Sequence, residues 1–186
     1  MYTIVVTPNP ILIKKTQKVT HFDKKLDDIL EQMEETLKAT TDPVGVGLAA
    51  PQVGLSLAIF QMKPTDDSLV KNFINPVIIP KPHTNGLKNT TEKKKPRKGK
   101  LLEGCLSIPN IWGHVTREKN VTLEWQDEKG KKHKKYFTGF PAVIIQHEMD
   151  HLQGLLFTKH VIEQGGKLYK SHKNAEGEDE FDEVKL

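Results

Sequence analysis

The stretch "QHEMDHLQG", residues 146–154, decides how this chain is read. On a helix, residues four apart project from one face, so His147 and His151 can reach a single ion. Glu148 sits about 100° around the helix from His147. That is off the ligand stripe, yet near enough to exchange a proton with a water at the ion. Two nitrogens on a metal and one carboxylate carrying protons is the division of labour behind H-E-x-x-H. The same letters also occur in ordinary charged helices. The residues before them weigh against that plainer reading. Phe140, Val143, Ile144, His147 and His151 fall on one helical stripe. An apolar face that runs into two histidines must bury them, and buried imidazoles need partners. The same apolar residues make a wall one turn from the ion, suited to an apolar side chain.

Working outward, "FPAVIIQHEMDHL" (140–152) starts near Pro141, where proline is tolerated in a first helical turn. Before it, "NVTLEW" and "HKKYFTG" flank "QDEKGKK", and Gly130 supports a hairpin. "LAIFQM" (57–62) and "NFINPVII" (72–79) are short apolar runs that fit strands. Between Phe22 and Thr40 the apolar residues Leu26, Ile29, Leu30, Met33 and Leu37 mark an amphipathic helix, with Asp23 as its N-cap. Strands and helices follow one another without regular alternation. The expected class is α+β, with mostly antiparallel sheets packed around a C-terminal helix carrying the H-E-x-x-H motif.

The 186 residues suit one domain with a real core. We expect a single catalytic domain over 1–170, with a basic inserted loop at 82–100 and an acidic, disordered tail at 171–186. "TEKKKPRKGK" (91–100) holds six basic residues between Lys93 and Lys100, and "EGEDEFDE" (176–183) holds six acidic ones. Both read first as solvated segments. Contact with RNA, such as a ribosome surface, is the functional alternative for the basic one, though no aromatic is interleaved in it. A net charge of +4 does not by itself imply nucleic-acid binding, and no sequence-specific binding is expected. No apolar run approaches the roughly 20 residues of a membrane span. "MYTIVVTPNP" lacks the form of a signal peptide. The single cysteine excludes an intrachain disulfide and suits a reducing compartment, so a cytoplasmic location is expected.

Two histidines leave a catalytic site one protein ligand short. Cys105, in "LLEGCLSIPN", is the candidate, set against the common case of a small buried core cysteine. Cysteine with two histidines would suit zinc or ferrous iron. "GVGLAAPQVG" (45–54) imitates a dinucleotide fingerprint, but it follows a helix and is cut by Pro51, so that reading fails. A loop whose small residues let a substrate backbone approach fits better, with the Gln52 amide donating to a developing oxyanion.

The stretches "GVGLAAPQ", "EGCLS" and "QHEMDH", in this order, closely resemble the three motifs of peptide deformylases, complete at every catalytic position. "TPNPIL" and "GHVTREKNVTLEWQDEKG" are similar as well, so the resemblance runs from about residue 3 to about residue 160. It implies removal of the formyl group from the N-terminal formyl-methionine of nascent polypeptides, releasing formate, by attack of a metal-bound water. Cys105, His147 and His151 would hold the metal, and Glu148 would be the general acid/base. Gln52 and the Leu106 backbone N–H would form the oxyanion hole. Gly47 would hydrogen-bond the substrate backbone, and Val46, Phe140, Val143 and Ile144 would line the methionine pocket. Glu103 and Arg117 would pair to brace the cysteine strand. The implied ion is ferrous iron, with zinc, nickel or cobalt tolerated. N-formylmethionyl peptides are the implied partners, with transient ribosome contact as a further one.

The chain departs from the family in three places. The basic segment before "EGCLS" is long, Trp112 stands where some members have an arginine near the substrate, and the C-terminus is acidic. A metallopeptidase is the rival enzyme. It would need a downstream third ligand, and His160 is the next histidine, usable only if the helix breaks near Gly154. A non-enzymatic metal-binding or ribosome-associated module is the other rival, opposed by intact Glu148, Gln52 and Cys105. Asp150 is open between a partner behind the ligands and a surface charge.

Overall fold

The structure, a computed structural model, describes residues 1–80, 102–174 and 176–185. The basic insertion expected at 82–100 lies outside them. After a short 3₁₀ turn at Pro10–Ile13 come helix α1 (Lys24–Ala39) and strands β1 (Gly47–Ala49), β2 (Ile59–Met62) and β3 (Lys71–Ile79). Strands β4 (Leu102–Cys105), β5 (Ile108–His114), β6 (Asn120–Gln126) and β7 (Lys132–Thr138) follow. Helices α2 (Phe140–Leu152) and α3 (Phe157–Glu163) and strands β8 (Leu168–Lys173) and β9 (Asp179–Glu183) complete the chain. The class is α+β with antiparallel sheets, as expected, and α2 carries the H-E-x-x-H stretch.

There are two sheets, in the orders β1-β2-β3-β6-β7 and β4-β5-β8-β9, and every strand pairing is antiparallel. Alternation along the strands divides the core in two. Ala49, Phe60 and Phe73 face α2 and pack with Ala142, Ile144, Ile145 and Leu152. Leu48, Ile59 and Ile74 face the other way, onto Leu26, Leu30, Met33 and Leu37 of α1. The first sheet is therefore held between two helices. The second rests on α3, where Phe157 and Val161 pack with Cys105, Ile108 and Leu168.

Local chemistry sets the boundaries. The Asp23 carboxylate caps α1 by accepting from the Leu26 N–H at 3.2 Å. β3 carries a proline mid-strand, and the ladder absorbs it with a register shift between Ile74 and Val77. Asn75 takes a positive φ of 50° there, and its amide bridges Val19 and Gln126. Helix α2 ends at Leu152, and the chain turns at Gly154, where φ is 71°. A Cβ at Gly154 would lie 2.6 Å from the Ile13 backbone, so glycine is required twice over.

The C-terminus corrects the sequence reading. The boundary at 170 falls inside β8, and the acidic segment, instead of being a disordered tail, is β9 paired along β8. Composition alone hid the reason. Lys170 lies opposite Asp182, His172 opposite Glu180 and Lys173 opposite Asp179. Lys173 and Asp179 approach to 2.9 Å, and Lys167 and Glu183 to 2.6 Å. Cross-strand opposite charges favour the pairing that uncompensated acid would resist.

Candidate metal centre

Helix α2 presents His147 and His151, and β4 ends at Cys105 beside them. The donor atoms of the three lie within 4.8 Å of one another. Cys105 Sγ is 3.1 Å from His151 Nε2. His147 Nδ1 is 3.1 Å from Glu103 Oε2, which leaves Nε2 to face the thiol. Burial opposes ionisation of the Cys105 thiol, but His151 and His147 beside it prevail and hold it well below the ordinary thiol range. Burial likewise works against charge on His147, yet Cys105 and Glu103 raise it well above the usual imidazole value. Cys105 and His147 thus each favour the charged form of the other.

Glu148 is 3% exposed, and its Oε2 has no hydrogen-bond partner among the described residues. Its burial raises the carboxyl to about 7, against the pull of His147 and His151. The His151 Nδ1 is also buried without a partner among the described residues. Orphaned polar atoms around a soft thiolate-imidazole donor set are what a site for a divalent ion would contain, so these residues fit one. Gln52 is fixed by the Ala49 N–H, which donates to its Oε1 at 2.8 Å. Its Nε2 is thereby turned to Cys105 Sγ, 3.5 Å away.

These groups open onto a cavity of about 220 Å³. Val46, Gly47, Gln52, Cys105, Leu106, Phe140, Val143, Ile144, His147 and Glu148 all line it. His151 lies behind them, 1% exposed, against Cys105. Leu106 occupies the tight turn between β4 and β5, and Phe140 is at the rim, 41% exposed. The expected ligands, acid/base, oxyanion-hole residues and methionine-pocket residues thus all lie in or against one cavity.

Some of what the structure assembles goes beyond the motifs, and the expected Glu103–Arg117 pair is present within it. A Cβ at Gly47 would fall inside the Glu148 carboxylate and lie 2.9 Å from Ile144 Cγ2. Gly47 therefore makes room for Glu148. Leu102, Gly104 and Trp112 extend the cavity wall away from the ligands. Arg117 grips Glu103 through Nε and Nη2 at 2.9 and 2.8 Å, and Asp150 through Nη1 at 2.6 Å. Burial pushes the Glu103 carboxyl up, but Arg117 and His147 overcome it and leave it lowered. Asp150 is therefore a partly buried partner of Arg117 behind the Cys105–His147–His151 group, not a surface charge. His160 also touches Asp150, at 3.0 Å and off the hydrogen-bonding direction, and is not part of the donor group. That removes the downstream ligand a metallopeptidase reading needs.

Two antiparallel sheets and an H-E-x-x-H helix, with a thiol brought beside it from one sheet, define a class of α+β proteins with a donor group that could hold one ion. The polypeptide deformylase family model matches residues 1–167. The peptide deformylase of Pseudothermotoga lettingae is 40% identical over 149 residues, covering 80% of this chain and 76% of that protein. Peptide deformylase 1 of Bacillus cereus is 39% identical over 158 residues, covering 85% and 90%. The crystal structure of the Thermotoga maritima peptide deformylase superposes with a TM-score of 0.71 at 34% identity, covering 86% of this chain and 97% of that one. This chain belongs to the polypeptide deformylase family. No helix among the described residues is long and apolar enough to cross a membrane.

Proposed function

We propose that this chain hydrolyses the formyl amide of N-formylmethionyl peptides, releasing formate and a free amino terminus. The observation that carries the reading is the buried Glu148 carboxylate beside the Cys105–His147–His151 donors, its Oε2 without a hydrogen-bond partner among the described residues. Cys105, His147 and His151 would hold the ion. When bound, it would supply Lewis acidity for activating water and polarising the formyl carbonyl. Glu148, whose carboxyl is raised chiefly by burial, takes a proton from the attacking water and passes it to the leaving amine. Gln52 Nε2 and the Leu106 N–H donate to the oxyanion as it forms. Because Ala49 already holds the Gln52 amide in place, that donor need not reorganise during the reaction.

Among the described residues, β1 pairs only with β2 and β4 only with β5, so each has an open edge beside the cavity. An extended peptide fits between them as an added strand, with Gly47 offering its backbone. The methionine side chain then lies on Val46, Phe140, Val143 and Ile144. The formyl group is the smallest acyl group and sits close against the donors where a bulkier one would be crowded. One thiolate and two imidazoles suit ferrous iron or zinc. Ferrous iron is the reading for the cell, with zinc, nickel or cobalt replacing it in purified protein. The cytoplasm, where nascent chains emerge, is the matching location. Transient ribosome contact through the basic segment 91–100 belongs to the same reading, and deleting it should weaken ribosome co-sedimentation.

The test is formate release from a formyl-methionyl peptide after anaerobic iron loading. Glu148→Gln should abolish turnover while retaining the ion, and an active variant would sink the mechanism. Cys105→Ser should lower the metal content, and unchanged stoichiometry would remove Cys105 from the ligand set.

A further inference from the structure

Residues directly opposite in antiparallel strands share a face of the sheet. Gly104 is opposite Trp112, Trp112 opposite Tyr169, and Ser171 opposite Phe181. One face of the second sheet therefore carries Trp112, Tyr169, Ser171 and Phe181 in a row leading away from Cys105. The other face is the one covered by α3, where a Cβ on Gly113 would meet Val161 at 2.7 Å. Trp112 lies flat across Gly104, whose absent side chain it replaces, since a Cβ there would be 2.7 Å from the indole. Its Nε1 donates to Ser171 Oγ at 3.0 Å. The Phe181 ring stands edge-on to it, with centroids 5.9 Å apart and planes at 86°. Phe181 is 39% exposed.

Trp112 is thus gripped from behind by the β8–β9 hairpin while it lines the catalytic cavity beside Leu102 and Gly104. The family match ends at residue 167, so this support lies beyond what the chain shares with that model. From the Cys105 end, three steps of a strand cover about 10 Å. A peptide extended along the open edge of β4 therefore carries the residues just after its methionine past Trp112.

We propose that Trp112, held by Phe181 and Ser171, is a specificity-determining residue that favours an aromatic side chain at the second or third position of the substrate. This rests on the deformylase reading for the direction of the peptide. The indole offers a flat apolar surface, and its one polar atom is already satisfied by Ser171. A fixed ring loses little freedom when another ring packs on it. An aromatic pair of this kind supports about a 3- to 10-fold preference.

The test compares formyl-Met-Phe-Phe with formyl-Met-Ser-Ser on the iron-loaded full chain. Wild type should favour the aromatic peptide several-fold in kcat/KM, through KM. Trp112→Ala should bring the ratio close to one, Trp112→Phe should restore part of it, and Phe181→Ala should lower it. Calorimetric binding of the same two peptides to the metal-loaded Glu148→Gln protein reads the preference without turnover. Preference in binding without formate release from wild type would overturn the deformylase reading and keep the role of Trp112. Formate release with equal affinities, or a preference that survives Trp112→Ala, overturns the role of Trp112 alone.

Discussion

Glu148→Gln should make the metal-free protein increasingly more stable than wild type as the pH rises. The buried Glu148 carboxyl is raised from an ordinary 4.5 to about 7. Below the ordinary value it is protonated in both the folded and the unfolded chain and contributes nothing to the balance. Between the two values only the folded chain keeps the proton, so stability falls as pH rises. Above about 7 the loss is complete. At about 1.36 kcal/mol per pH unit, the interval amounts to about 3 kcal/mol. Glutamine does not titrate, so the difference between the two proteins reports this group together with its coupling to His147, His151 and Cys105. The assay is urea unfolding of chelator-treated protein from about pH 5 to about pH 8, with equal m-values as the check on two-state behaviour. The free-energy difference should grow by about 3 kcal/mol across that range. Loading the ion brings positive charge to the carboxylate, so the divergence should shrink. A difference flat within about 0.5 kcal/mol over the whole range would refute the claim that burial holds this proton.

Gly47→Ala should push the Glu148 carboxylate aside, lowering kcat about 10²-fold while leaving the metal content intact, as read by turnover and metal analysis. Arg117→Met removes the shared partner of Glu103 and Asp150, both mostly buried, and should destabilise the metal-loaded protein by about 3–5 kcal/mol in denaturant unfolding. Gln52→Ala should reduce kcat by about 10²–10³ with little change in KM for a formyl-methionyl peptide. Reversing Asp179 and Glu183 to lysine sets like charges against Lys173 and Lys167 and should release β9, visible as faster amide exchange over 179–183.

The elements with their own periodicity were legible in advance. α1 announced itself through Leu26, Leu30, Met33 and Leu37 and its Asp23 cap, and the β6–β7 hairpin through Gly130, whose φ is 75°. What escaped was decided by partners far away in sequence. The acidic run at 176–183 reads as solvated until Lys170, His172 and Lys173 are known to lie across from it. In the same way, the chemistry-bearing letters of the site could be named from their motifs, but not the packing that shapes it. Nothing local in "GVG" says that a glutamate one hundred residues later will fill the space of the missing Cβ at Gly47. Trp112 could be flagged as unusual, yet its support comes from Ser171 and Phe181, at the far end of the chain.

The buried charges behind the ligands answer a mechanical problem. The donors come from two elements that share no backbone ladder, Cys105 from β4 and the histidines from α2. Their spacing must be kept by something other than the strand or the helix. Glu103 is two residues before Cys105 on the same strand, so both side chains point toward α2. Asp150 is next to His151 on the helix. Arg117 holds both carboxylates in one guanidinium fork, and Glu103 reaches on to His147 Nδ1. The fork is planar and stiff, so it fixes a distance as well as balancing charge, which a lysine at this position would not do. The same contact orients the imidazole with Nε2 toward the thiol. One arginine therefore sets both the gap between strand and helix and, through Glu103, the direction of a ligand. Replacing it with lysine should keep much of the stability and lose metal affinity, a separation that charge balance alone would not produce.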